Sequence, residues 1–207
     1  QVLTLRGVGG IYEDVILPLH GEHQANNASL ALAAVEAFFG AGVDGKQVDA
    51  DIVSEGFGKA TSPGRLEVVR RGPTVIVDAA HNPHGGQALV TALSDEFGFD
   101  KIIAVVGMFA DKDAEGFLTL LEPVVDHIII TQTNNERAIS ASELADLART
   151  VFDADRVDEQ SQLTDAIARA IELADESAAD DAAVGIVITG SVYTVAQARA
   201  LLGKRSA

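Results

Sequence analysis

The sequence predicts an α/β protein: a three-layer, mostly parallel sheet, preceded by a β-hairpin and two helices. Three observations carry this. From residue 65 onward, short β-branched runs alternate with amphipathic segments of helical length, the signature of βαβ crossovers. Val75-Ile76-Val77 is apolar at every position, as in a strand buried on both faces of a parallel sheet. Ala60-Thr-Ser-Pro-Gly64 is turn chemistry at the point where the pattern changes, and marks a boundary between residues 1–61 and 62–207.

Taken in order, residues 2–6 and 12–19 read as two strands joined at Gly7–Gly10, a β-hairpin. Glu22–Phe39 reads as a helix whose apolar face holds Leu30, Leu32, Ala33, Val35, Ala37 and Phe38, with Gly40 at its stop. Gln47–Glu55 reads as a second helix. Strands follow at about 65–70, 74–78, 101–107, 126–131 and 184–189, with a weak one near 155–157. Helices follow at about 84–96, 113–121, 141–151, 161–174 and 191–202. The first two of these strands are too close for a crossover and should pair antiparallel.

Composition narrows the function. The 207 residues are 47% hydrophobic and 22% charged, enough for a substantial core. The formal net charge of −16 argues against a nucleic-acid or anionic-membrane surface. A phosphate ligand would need local cations, backbone amides or a metal. Acidic residues at Asp153, Asp155, Asp175-Glu176 and Asp180-Asp181 read as solvated loops. The absence of cysteine removes disulfide, thiolate and zinc-thiolate chemistry. No apolar run approaches the ~20 residues of a membrane span, and no signal peptide is visible, so a cytoplasmic location is expected. The only methionine is Met108 and a strand begins at Val2, which suggests a fragment of a longer protein.

The most informative stretch is Asp78-Ala-Ala-His81-Asn82-Pro83, at the end of the Val75–Val77 strand. Ligands of open α/β sheets collect beyond such strand ends. Asp78 accepts hydroxyl hydrogen bonds, His81 donates to an anion, and Asn82 does both. The bland reading is a turn in which Asn82 caps a helix with Pro83 at its first position. That suits Asn82 but leaves Asp78 and His81 together unexplained.

Other clusters sit at strand ends or helix starts: His20 to Ala28, Ser62-Pro-Gly-Arg65-Leu-Glu67, Gly107 to Asp113, and Gly190-Ser191-Val-Tyr193. In this order and spacing the chain resembles the C-terminal half of a folylpolyglutamate synthase, often bifunctional with dihydrofolate synthase, in the Mur ligase superfamily. The Pro-Gly-Arg-Leu-Glu and Asp-Ala-Ala-His-Asn-Pro pair is the more specific part, and Gly-Ser-Val-Tyr favours the folate branch. The resemblance implies a Rossmann-like C-terminal ligase domain at 62–207 and the tail of a P-loop ATPase domain at 1–61. It implies ATP-dependent activation of a folate carboxylate as an acyl phosphate, then attack by the amine of L-glutamate.

The resemblance also assigns roles. Asn27 would read adenine, where the residues alone favour a helix-start hydrogen bond. Arg65 would contact ATP phosphates, where a lone arginine would pair with Glu67. Asp78 would bind ATP through the ribose, and His81 would act near the chemistry and hold glutamate or phosphate. Ser191 would receive a glutamate carboxylate at a helix N-terminus, or simply cap that helix. Asp111-Lys112-Asp113 borders the glutamate pocket or forms an exposed charged loop. The family's Gly-Lys-Thr/Ser phosphate loop does not occur in this sequence. The Mg2+ ligands and a partner ATPase domain are therefore expected upstream, and this chain alone should be inactive. The alternatives are another Mur-type amino-acid ligase, or a non-catalytic nucleotide- or amino-acid-binding module.

Overall fold

The strand–helix alternation after residue 64 closes into one six-stranded sheet. The structure, a computed structural model, describes residues 1–43, 46–178 and 182–203. The chain divides into two units, Gln1–Pro63 and Gly64–Ala207.

In the first unit, β1 (Val2–Arg6) pairs antiparallel with β2 (Ile11–Ile16). The second strand was expected to reach residue 19. It stops earlier because Pro18 has no N–H to continue the ladder. Helix α1 spans Glu22–Phe39 as expected, and Gly40 ends it in the left-handed region at φ 68°. Its buried stripe is Gln24, Ala28, Leu32 and Glu36, at i, i+4 spacing. The anticipated apolar face is largely exposed: Leu30, Val35 and Phe38 face outward. Helix α2 runs Ala50–Gly58, not 47–55, because the Asp49 carboxylate accepts from the amides of Asp51 and Ile52 and sets the start.

Fully buried Glu36 organises this unit. Its carboxylate accepts hydrogen bonds from the Val8 amide at 2.6 Å, the Gly9 amide at 3.1 Å and the Tyr12 hydroxyl at 2.9 Å. The helix thereby satisfies the turn between β1 and β2. Burial, reinforced by that hydrogen bond to Glu36, pushes the Tyr12 phenol above its usual range.

The second unit carries β3 (Glu67–Arg70), β4 (Thr74–Val77), β5 (Lys101–Val106), β6 (His127–Ile130), β7 (Val157–Glu159) and β8 (Val184–Thr189). Their spatial order is β3-β4-β8-β5-β6-β7. Only β3 is antiparallel to its neighbour, as the short connection to β4 requires. Alternate strand residues feed two cores. Ile76, Val106, Ile128 and Val187 meet α3 (Pro83–Glu96), α4 (Ala114–Leu121) and α5 (Ala141–Ala148) on one face. Val75, Val105, Ile129 and Ile188 meet α6 (Leu163–Ala178) and α7 (Val192–Leu201) on the other. The predicted three layers are thus present.

Two expectations shift. Residues 154–156 form a single 3-10 turn, so β7 begins at Val157. Helix α6 continues through Asp175 and Glu176, which were read as loop. Asp180 and Asp181 lie outside the described residues. Among the described residues, no helix is long and apolar enough to cross a membrane.

An ion cluster ties β6, β7 and α6 together. The Asp158 carboxylate meets Arg169 Nε at 2.9 Å and His127 Nε2 at 3.3 Å. Burial raises the Asp158 carboxyl, but the Arg169 hydrogen bond and the charges of His127 and Arg169 outweigh it and hold it below the usual carboxylate range. A depressed folded-state value stabilises the fold above the unfolded value of about 3.9 and loses that contribution as pH falls through the folded value. Asp158→Asn should therefore flatten the fall of the melting temperature below about pH 5. A variant profile parallel to wild type in thermal melts from pH 7 to 2.5 would contradict this.

Candidate functional site

The connections from neighbouring strands β4 and β8 leave to opposite faces of the sheet, β4 into α3 and β8 into α7. This divergence opens a crevice at the carboxyl edge, where doubly wound sheets hold ligands. Both loops at this edge are built to close tolerances.

On the β4 side, Asp78 extends the ladder by donating its amide to the Ile188 carbonyl at 3.0 Å. Its carboxylate is buried and accepts from the Leu66 amide at 2.9 Å and the Ala80 amide at 2.8 Å. Leu66 is held at φ 45°, a conformation that a branched side chain resists, so Asp78 offsets local strain. His81 places Nδ1 2.9 Å from the Ala79 carbonyl. A carbonyl only accepts, so Nδ1 carries the proton and Nε2 is the acceptor of the neutral ring. Asn82 caps α3 by accepting from the Gly85 amide, with Pro83 at the first helical position, so the bland reading of Asn82 is realised.

On the β8 side, Gly190 donates to the Ala80 carbonyl at 3.0 Å, which links the two loops. Gly190 has φ 99°, and a Cβ there would lie 2.8 Å from the Gly107 carbonyl oxygen. Ser191 is buried and caps α7, its Oγ accepting from the Tyr193 amide at 3.1 Å. Its hydroxyl proton is still available to donate. Behind it, Thr194 donates to the Gly107 carbonyl at 2.9 Å and shares a 2.5 Å hydrogen bond with Thr133, fixing α7 against the ends of β5 and β6.

His81 and Ser191 line one cleft of about 190 Å³, so the structure brings these two predicted residues together. Six others complete the walls: Phe109, Lys112, Arg137, Gly190, Val192 and Tyr193. Phe109 and Tyr193 lie 5.4 Å apart at a tilt of 56°. The Arg137 guanidinium stands 4.9 Å from the Phe109 ring centre and bonds Asp111 at 2.8 Å. That hydrogen bond holds the Asp111 carboxyl below the usual carboxylate range. Lys112 sits 3.3 Å from the other Asp111 oxygen, and Asp113 caps α4. The Asp111–Asp113 segment therefore borders the cleft through Lys112 and serves as a charged cap elsewhere. Sequence reasoning passed over Arg137, Phe109 and Tyr193 as site residues. The available signal for Arg137 was a cation beyond a strand end in a strongly acidic chain.

The remaining predicted residues lie elsewhere. Arg65 is exposed and makes no ion pair with a described residue. Its expected bland partner, Glu67, instead binds Arg199 at 2.7 Å and the Gly64 amide at 2.8 Å. Asn27 belongs to the first unit, where it donates to the Gln24 side chain at 3.2 Å. A larger cleft of about 570 Å³, between the loops after β6 and β7 and helix α7, has no titratable side chain in its walls, so size does not mark the chemistry. Among the described residues, no group of three or more His, Asp or Glu could hold a metal ion.

Residues 64–192 match the family described as Mur ligase, glutamate ligase domain. The chain belongs to this family. Across 99% of its length it is 51% identical to the dihydrofolate synthase/folylpolyglutamate synthase of Mycobacterium tuberculosis. It is 31% identical over 95% of its length to the Escherichia coli protein of the same name. Among solved structures, M. tuberculosis folylpolyglutamate synthase complexed with ADP and AMPPCP superposes with a TM-score of 0.96 over the whole chain. E. coli FolC in complex with DHPP and ADP superposes with a TM-score of 0.72 at 28% identity. The chain spans 43% and 42% of the two curated relatives, and 46% of the mycobacterial crystal chain. The resemblance drawn from the sequence motifs therefore holds, and the Mur ligase domain is the unit that carries the cleft.

Proposed function

We propose that this chain is the C-terminal part of an ATP-dependent ligase that adds L-glutamate to a folate through an acyl phosphate, with dihydrofolate synthase as a second activity of the same site. The observation that carries this reading is the cleft itself. It gathers Lys112, Arg137 and the N-terminus of α7, with His81 as an acceptor beside them, in a chain of net charge −16. Such a concentration of cationic and donor groups suits a small dicarboxylate such as glutamate.

Catalysis of this kind is mainly positioning and charge stabilisation. The Ser191 hydroxyl and the first amides of α7 would take one glutamate carboxylate. His81 Nε2 would accept a proton from the ammonium group, freeing the amine for attack on the acyl phosphate. Arg65, exposed and always charged, would contact ATP phosphates. Asp78 would meet the ribose, and Asn27 would meet adenine. Structures of relatives with ADP, AMPPCP, or AMPPNP and Mn support a nucleotide and a divalent cation in the complete reaction. Among the described residues no group of three or more His, Asp or Glu could hold Mg2+, whose ligands would lie in the other part of the ATPase domain.

Residues 1–61 would be the end of the ATPase domain, whose other part is the chain's partner. Exposed Leu30, Phe38 and Phe39 on α1, and an apolar groove of about 320 Å³ between α1 and α2, support that assignment. The test is ADP formation. The 207-residue chain should produce none, lacking a phosphate loop. A protein extended to the length of its relatives should form ADP only with glutamate together with a reduced folate or dihydropteroate. Glutamate-dependent ADP from the 207-residue chain, or turnover of the extended protein indifferent to both acceptors, would refute the reading.

A further inference from the structure

We infer that Asp111 is the positioning residue of a two-cation receptor in which Arg137 takes the side-chain carboxylate of the amino-acid substrate; this rests on the glutamate reading above and adds its selectivity device.

Arg137 comes from the loop after β6, and Lys112 from the loop after β5. Both line the cleft, and two cations converging on a small space repel each other. Asp111 lies between them, with Oδ1 2.8 Å from Arg137 and Oδ2 3.3 Å from Lys112. One carboxylate therefore holds the two cations at a common wall. It occupies one guanidinium nitrogen of Arg137, NH2, and leaves further donors of the five-proton fork.

Phe109 fixes the remaining freedom. The guanidinium rests on its ring, and Tyr193 packs against that ring from α7. A planar cation clamped by a carboxylate and an aromatic face loses little entropy on binding. Without these supports Arg137 would be an ordinary mobile surface side chain, because its side chain is 62% exposed. Tyr193 is also two residues from Ser191, whose helix start faces the same cleft. The cleft thus has two carboxylate receptors on different walls. One is a neutral helix N-terminus and the other a tethered arginine. A monocarboxylic amino acid fills only the first, and a dicarboxylic one fills both.

Glutamine keeps the size of glutamate but replaces the second carboxylate with a neutral carboxamide that turns a donor NH2 towards the guanidinium, so the pair tests the arginine. The experiment is an NMR titration of the 207-residue chain with L-glutamate and L-glutamine, followed through the amides of Tyr193 and Thr194. Wild type should prefer glutamate by about tenfold, the size of one charge-assisted contact. Arg137→Met should abolish the preference by weakening glutamate alone, and Arg137→Lys should restore part of it. Asp111→Ala should reduce the preference while leaving glutamine affinity unchanged, which a merely structural role would not do. The unperturbed remainder of each spectrum reports that the variant is folded. If wild type prefers glutamate and Arg137→Met keeps that preference, the inference is overturned and the glutamate reading stands. If wild type binds neither amino acid, the glutamate reading of the cleft falls and takes the inference with it.

Discussion

Glu36→Ala should unfold the first unit or bring it to the edge of stability. The lost carboxylate strands the Val8 and Gly9 amides and the Tyr12 hydroxyl beneath helix α1. The Tyr12 hydroxyl is buried and the two amides are part-buried, so water can partly replace Glu36 at the amides and the sum is about 2–3 kcal/mol before any cavity is counted. Glu36→Gln should fall between, since it keeps one acceptor oxygen but aims a donor NH2 at other donors. Urea denaturation followed by tyrosine absorbance, with hydrogen exchange at Val8 and Gly9, measures both. A loss under about 1 kcal/mol with both amides still protected would show that the turn holds without Glu36.

Gly190→Ala should be the most damaging single-methyl change in the second unit. The backbone at φ 99° disfavours any L side chain, at about 1–3 kcal/mol. The new Cβ would also press on the Gly107 carbonyl oxygen at 2.8 Å and on Met108 Cγ at 2.9 Å. The first of these contacts is backbone, so the loop between β8 and α7 must move and carry Ser191 with it. The expected result is a clear drop in melting temperature together with lost glutamate binding. Gly98→Ala is the control: a Cβ there meets nothing within 4 Å, and the change should be neutral or slightly stabilising. Equal melting temperatures for the two variants would contradict the tight junction.

These two positions also mark where the sequence was and was not legible. The strand Val75–Val77 was readable because burial on both faces demands an unbroken apolar run, and Glu22–Phe39 because Gly40 punctuates its end. The same rule misled within α1. Counting apolar residues selects Leu30, Val35 and Phe38, whereas the buried stripe is built around Gln24 and Glu36. The reason is non-local: Glu36 is buried because donors 24 to 28 residues earlier converge on it. The α2 start was missed although Asp49 carried the capping signal.

The site divides in the same way. His81 and Ser191 were readable because each closely follows a buried strand of the parallel sheet, which delivers both to one edge. Arg137 was not, because its partners Asp111 and Phe109 are 26 and 28 residues away in sequence and meet it only through the fold. Asp78 was readable as special but not for what it does in this structure, namely pinning the amides of Leu66 and Ala80. Asp78→Ala should therefore lower stability as well as any nucleotide affinity.

The most direct test of the central claim is a comparison of KM values in a protein of the relatives' full length. His81→Ala and Ser191→Ala should each raise KM for L-glutamate by about tenfold while KM for ATP stays within about twofold, as expected when one charge-assisted contact to a single substrate is lost. Ser191→Ala should also lose about 1 kcal/mol of stability, because Ser191 caps α7. A thermal shift with unaltered glutamate kinetics in Ser191→Ala, together with a larger effect on ATP than on glutamate in His81→Ala, would contradict the assignment of this cleft to the amino acid.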